Sequence, residues 1–505
     1  MTIEIELKYL ILGDNSAEKI TKMFNREGIQ FTYQEKQLSN CYFDTPDLNL
    51  RQHDMGLRVR RNNNHIEQTI KTAGQVIGGL HSRPEYNVDI ESNLPILTLF
   101  PSEIWQQEQS VANIQKGLVA LFNTDFKRCT WLITDASNNV IELAYDQGEI
   151  VSAEQKETID EIELELVEGE PSALFNLATI LFSTLALRPG LKSKAARGYA
   201  LWRTPPIAEA VQQEDFICDN RTDSIDHTFT VGLNRGLTSL QNSIACYLES
   251  ETLAELAKIK ANLAIIRHGF WLFAKHLTPE ELAIRDELSH FLQLLSWVDN
   301  AIHLQELTNK TGNYRKKLDF SKQLIKQLKI EKRRFPNHND ICQFLHSSRF
   351  NQLQLCVLKL YLSRTENSAS ASQLNGNALI EFAQDRIQFS LSELSAQMKS
   401  TANFNCQQYI AQSKLLNRSL LTGTWLAGLF DNDLRDKFRR PWLDLREGIS
   451  ELQSLWIIQL QLEKLSEPSK RLVQWQDTKV EGLLLALNNT KAIAISMPPY
   501  WLEST

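Results

Sequence analysis

Residues 3–8 read IEIELK, with charges at every second position. As a strand, the stretch puts Ile3, Ile5 and Leu7 on one face and Glu4, Glu6 and Lys8 on the other. As a helix, Glu4 and Lys8 would make an ordinary surface pair. The same alternation returns further on. Arg58 and Arg60 share a face in GLRVRR, Lys71 ends IEQTIK, and Arg83 alternates with Tyr86, Val88 and Ile90 in SRPEYNVDI. Asp146 alternates with Ile141, Leu143 and Tyr145 in VIELAYD, and Glu161, Glu163 and Glu165 line one face of DEIELELVEG. The polar faces are sorted by sign: Glu4, Glu6, Glu163 and Glu165 are acidic, whereas Arg58, Arg60, Lys71 and Arg83 are basic. Carboxylates side by side repel one another. A hard divalent cation compensates them, and Mg2+ usually binds through a few carboxylates plus substrate phosphates. Arginine matches phosphate oxygens with its fork, and lysine acts on them as a point charge. The chemistry implied is metal-assisted handling of a phosphate anion.

The elements that must position these groups are strands. Turn signals such as NNN, AGQVIGG and ASNN separate the period-2 stretches of residues 1–200. About eight strands at hairpin spacing predict a single antiparallel sheet or barrel. A closed barrel of that size encloses side chains or one small ligand. Charges facing its inside would cost several kcal/mol per ion if unpaired, so a charged interior is a ligand site.

Near residue 205 the texture changes. RTPPIAEAVQQED carries a Pro-Pro break, and beyond it apolar residues recur at three and four, as in LAIIRHGFWLFAKHL. Residues from about 218 to 505 are expected to be all helical, split by a loop at ENSASASQLNGN (366–377). The fold class is therefore α+β: an N-terminal closed antiparallel eight-stranded barrel with flanking helices, then an all-α bundle.

Composition narrows the class. Of 505 residues, 42% are apolar and 23% charged, ordinary values for a globular chain. No run of 18 apolar residues exists, and the acidic MTIEIELK start points away from export. Seven cysteines without CxxC spacing fit reduced thiols and a cytoplasmic location. Residues 1–205 hold 20 Lys+Arg against 28 Asp+Glu, and the rest 34 against 33, so neither part suits duplex nucleic acid.

EIELK resembles the ExExK signature of CYTH domains, also called triphosphate tunnel metalloenzymes. The likeness continues in order through YFDT (42–45), LRVR (57–60), Lys71, RPEY (83–86), FKR (126–128), ELAYD (142–146), EIELE (161–165) and SKAARGY (193–199). The helical remainder resembles a CHAD domain in position and texture. The resemblance implies a tunnel domain over 1–205 and a CHAD-like domain over 218–505. It further implies hydrolysis of inorganic triphosphate to pyrophosphate and phosphate, with two Mg2+ or Mn2+ ions. Glu4, Glu6, Glu163, Glu165 and Asp146 would hold metal. Lys8, Arg58, Arg60, Lys71, Arg83, Arg128 and Lys194 would cradle the triphosphate, and Glu4, Glu6, Glu165 and Lys8 would take part in the chemistry. The alternatives are polyphosphate binding through the helical domain and action on nucleoside or thiamine triphosphate. Thr130 stands where the family often has a second basic residue, a contact that Lys127 or Lys192 would then supply. Glu142 and Glu161 are expected to support the ligands indirectly or to point outward at the barrel ends. Tyr42 reads as packing, and Arg267-His268 and Lys275-His276 as solvated or hydrogen-bonded helix residues. The run at 309–335, with ten basic and two acidic residues, reads as a solvated helix face able to meet a polyanion.

Overall fold

The computed structural model describes residues 2–13, 16–62, 65–106, 110–203, 216–312, 314–318, 321–369, 376–398 and 403–502. Its contacts divide the chain into two units, Met1–Val211 with Cys342–Lys359, and Gln212–Ile341 with Leu360–Thr505.

The first unit is built on ten strands: β1 (Thr2–Leu12), β2 (Phe31–Asp44), β3 (Gly56–Asn62), β4 (His65–Lys71), β5 (Gln75–Ile77), β6 (Leu80–Asp89), β7 (Val119–Thr134), β8 (Val140–Ser152), β9 (Gln155–Glu168) and β10 (Ala186–Pro189). Eight of them run β1-β9-β8-β7-β2-β3-β4-β6 and close when β6 pairs with β1, which makes an antiparallel barrel. The short β5 lies inside AGQVIGG, where a turn was expected, because Gly78 and Gly79 at positive φ fold that stretch into a tight hairpin. Helices α1 (Ser16–Glu27), α2 (Asn49–Gln52), α3 (Val111–Gly117), α4 (Ser172–Phe182) and α5 (Lys194–Trp202) flank the barrel.

Alternation decides what each face does. Leu143, Ile162 and Leu164 are buried on the outer face. There Tyr9 packs edge-on to Phe182 of α4 at 5.3 Å, and Trp131 to Phe24 of α1 at 6.4 Å. The inner face changes character along the bore. Leu38, Tyr42, Phe122, Phe126, Ile150 and Ile159 form an apolar plug with Tyr199 of α5. Beyond the plug most of the inward positions are charged.

The second unit contains α6 (Ile225–Ser250), α7 (Leu253–Leu272), α8 (Pro279–Leu294), α9 (Val298–Thr308), α10 (Arg315–Leu318), α11 (Lys322–Lys332), the first half of α12 (His338–Leu345), the end of α13 (Ser348–Ala369), α14 (Gly376–Met398), α15 (Cys406–Leu426), α16 (Asn432–Leu462) and α17 (Lys470–Ser496). No strand occurs among its described residues. Trp425 is fully buried, its ring lying where side chains at Gly232 and Gly269 would otherwise sit, and its Nε1 donates to the Ile265 carbonyl at 3.0 Å. The expected Pro-Pro break and the middle of the 366–377 loop lie outside the described residues, although α13 persists to Ala369. Among the described residues no helix is long and apolar enough to cross a membrane.

Candidate active site

Cross-strand register stacks the inward charges in rows. One row joins Glu142 of β8, Glu165 of β9, Glu6 of β1 and His81 of β6. The next joins Ala144, Glu163 and Lys8, and a third joins Arg128, Asp146 and Glu161. Across the bore lie Arg58 and Arg60 of β3, Lys71 of β4, and Arg83 and Glu85 of β6.

The deep end is a packed ionic knot. Lys8 Nζ donates to Glu161 Oε1 at 2.9 Å and to Glu163 Oε1 at 2.6 Å. Arg128 grips Asp146 with two bonds of 2.7 Å and donates a third, also 2.7 Å, to Glu163. Lys194, the first residue of α5, reaches Asp146 at 2.6 Å, Glu161 at 2.5 Å and Glu163 at 2.9 Å. Arg197, one helical turn on, meets the other oxygen of Glu161 at 3.3 Å. Burial alone would depress the Lys8 pKa, but Glu161, Glu163 and Glu6 outweigh it and hold the pKa well above the usual lysine range. Burial would likewise raise Glu163, yet Lys194, Lys8 and Arg128 hold it well below the usual carboxylate range. Asp146, Glu161 and Glu163 bring ligand atoms within 4.8 Å of one another. Four protein cations already serve that group.

Of the other inward carboxylates, Glu6, Glu142 and Glu165 make no hydrogen bond or ion pair to a described residue. Glu4 pairs with Lys71, which also holds Glu85 at 3.1 Å. Burial, with Glu4, Glu142 and Glu6 close by, pushes Glu165 up to about 7. Burial and Glu163 raise Glu6, and burial raises Glu4 against the pull of Lys71. Carboxylates that resist ionisation because they are buried and face one another suit a divalent cation.

On the basic wall Arg60 has the opposite shortage. Burial and the charges of Arg58 and Arg128 push Arg60 down to about 9. A guanidinium keeps its proton at neutral pH, so this marks a deficit of negative charge. Arg60 Nε donates to Asn40 Oδ1 at 2.8 Å, and Arg58 approaches Glu85 at 3.5 Å. Arg58 and Arg83 each keep a buried Nε without a hydrogen-bond partner among the described residues. An anion would satisfy all three arginines.

Of the twelve site residues named from the sequence, eleven share the inner face of the barrel strands, and Lys194 joins them from α5. Glu161 shares that face too: it is fully buried in the knot and does not point outward at a barrel end. Glu85, Arg197 and Asn40 were not picked out. Glu85 follows Arg83 at the strand period and Arg197 follows Lys194 at the helical one, so both had a visible signal. Asn40 had none. Lys127 pairs with exposed Glu35 at 2.8 Å and supplies nothing at Thr130. Tyr42 stacks on Phe122 at 4.6 Å, as packing. His268 is buried, with Nε2 on Thr422 Oγ1 at 3.0 Å.

The family model of the CYTH domain matches residues 2–199. The chain is 35% identical over 236 residues to a protein of Haemophilus influenzae named inorganic triphosphatase. That match takes in 44% of this chain and 62% of the relative's length, less than two thirds of it. Among solved structures, a protein from Hippeastrum described as an adenylyl cyclase with a dominant triphosphatase activity covers 40% of this chain and 95% of its own, at 20% identity and a TM-score of 0.30. A CHAD domain from the plant Ricinus communis covers 56% and 92%, at 15% identity and a TM-score of 0.37.

Proposed function

We propose that residues 2–199 form a CYTH domain that hydrolyses inorganic triphosphate to pyrophosphate and phosphate with the help of Mg2+ or Mn2+. One observation carries the reading: a single bore holds carboxylates short of positive charge opposite an Arg60 short of negative charge, beside which Arg58 and Arg83 keep buried Nε groups without a hydrogen-bond partner among the described residues. A metal–triphosphate complex supplies both.

Arg58, Arg60, Lys71, Arg83 and Arg128 bind phosphoryl oxygens. Lys8 and Lys194, fixed by Glu161 and Glu163, add positive charge at the deep end. Glu4, Glu6 and Glu165 would hold the cation beside Glu163, and Asp146 orients Arg128 and Lys194. The family that the chain resembles uses two ions. When bound, the metal supplies Lewis-acid polarisation and a water of lowered pKa. The side chains contribute positioning and charge neutralisation, the main needs of phosphoryl transfer.

Phosphate release is to be measured with triphosphate, polyphosphate, ATP and thiamine triphosphate, each with Mg2+ or Mn2+. The expected result is kcat/KM for triphosphate at least about tenfold above the others. Preference for ATP or thiamine triphosphate, or turnover without metal, refutes the reading. A second reading, polyphosphate binding by the helical part, draws on α11, which exposes Lys322, Lys326, Lys329 and Lys332. Replacing these four by serine should then weaken polyphosphate binding and leave triphosphate turnover unchanged.

A further inference from the structure

The row Glu142–Glu165–Glu6 crosses three adjacent strands on the inner face, and its neighbouring Cβ atoms are about 4.5–5.5 Å apart by strand geometry. Glu6 is only 8% exposed, yet neither it nor Glu142 nor Glu165 makes a hydrogen bond or ion pair to a described residue. A nine-tenths-buried carboxylate without a partner is costly, so its partner is a ligand.

Two more facts bear on what that ligand is. The row continues to His81, where Nε2 contacts the Gly190 carbonyl at 2.9 Å. A carbonyl only accepts, so Nε2 carries the proton and Nδ1 is a lone pair. Nδ1 is buried without a partner. Burial, with Lys8 and Arg83, pushes the ring's pKa down to about 4, so His81 brings no positive charge to the row. The deep knot differs, because Asp146, Glu161 and Glu163 already face Lys8, Arg128, Lys194 and Arg197. Inward cations fill one acidic group and leave the other unfilled.

We propose that Glu142 is a further direct ligand of the divalent cation, in one cross-strand row with Glu6 and Glu165. Its inward direction follows from strand alternation: Ile141 and Leu143 are buried on the outer face, and the charge of Glu142 is felt by both Glu165 and Arg128. The inference rests on the metal-assisted reading above and adds a residue to it.

The test is Mn2+ binding to the full chain without substrate, followed by the spin-resonance signal of the free ion. The proteins are wild type, Glu142→Gln, Glu142→Asp and Glu149→Gln. Glu149 sits on the same strand but pairs with Lys156 at 3.0 Å on the surface. A ligand role predicts at least about tenfold weaker binding in both Glu142 variants and no change in Glu149→Gln. The aspartate keeps the charge and shortens the arm, so it separates a ligand from a distant charge. Wild-type affinity in Glu142→Asp overturns the inference alone. A wild type that binds no Mn2+ overturns the metal-assisted reading and the inference with it.

Discussion

Arg60 is held by Asn40 and crowded by two other guanidiniums, so its worth depends on an anion. Arg60→Lys keeps the charge but loses the fork. A charge-assisted bond contributes about 1.5–3 kcal/mol, so kcat/KM for triphosphate should fall about ten- to a hundredfold with Mn2+ affinity unchanged. Unchanged kinetics with altered Mn2+ affinity would reverse the assignment. Glu165 makes the opposite case. Glu165→Gln should cut Mg2+-dependent turnover about a hundredfold or more, while stabilising the metal-free fold by about 0.2–1 kcal/mol at pH 7.5, as expected when a repelling cross-strand charge is removed. A variant that is both active and less stable in urea melts would contradict this. These residues were legible in the sequence because alternation alone puts Glu4, Glu6, Arg58 and Arg60 on a common type of face. Which carboxylates are already neutralised was not legible. Glu161 and Glu165 share one strand face in DEIELELVEG, and only the register with β1 and the placing of Lys194 separate a filled group from an unfilled one.

At the scale of elements, α5 sets the deep end. Ser193 caps it by accepting from the Ala196 amide, and the helix brings Lys194, Arg197 and Tyr199 inward. Its close approach needs Gly198, where a Cβ would lie 2.0 Å from the Phe122 ring. Gly198→Ala should therefore cost about 1–3 kcal/mol as overpacking. It should also lower kcat by moving Lys194 away from Asp146 and Glu161. Urea denaturation and single-turnover assays would check the two effects, and a fully active, fully stable variant would show that α5 tolerates a shift. SKAARGY was visible in the sequence, but the hairpin at Gln75–Ile77 was hidden in a stretch that reads as turn residues. Two glycines carry turn and hairpin equally well, and only the pairing with β6 decides.

For the whole molecule, the barrel's charges predict how stability follows pH. Glu161 and Glu163 have pKa values held below the ordinary carboxylate value by lysine and arginine partners, so stability drains away as pH falls through those depressed values. Glu4, Glu6 and Glu165 are raised. The folded state then binds more protons than the unfolded one between the ordinary value near 4.5 and the raised one, about 7 for Glu165, and stability falls as pH rises through that window. Metal-free protein should melt highest near pH 5, and Mg2+ should raise the melting temperature more at pH 7.5 than at pH 5. A melting temperature that climbs from pH 5 to 7.5 without metal would contradict this. The closure of the barrel carries a further consequence, for the order of synthesis. Strand β1 finds all its partners later in the chain, at residues 80–85, 161–165 and 186–189. At ribosomal speeds of about 5–20 residues per second, β1 waits on the order of ten seconds or more for its last neighbour. An unpaired strand of plain β-branched residues would invite aggregation over such a wait, but Glu4, Glu6 and Lys8 keep this one hydrated. The charges proposed to bind metal and phosphate in the finished barrel thus also guard the nascent chain while it is being made.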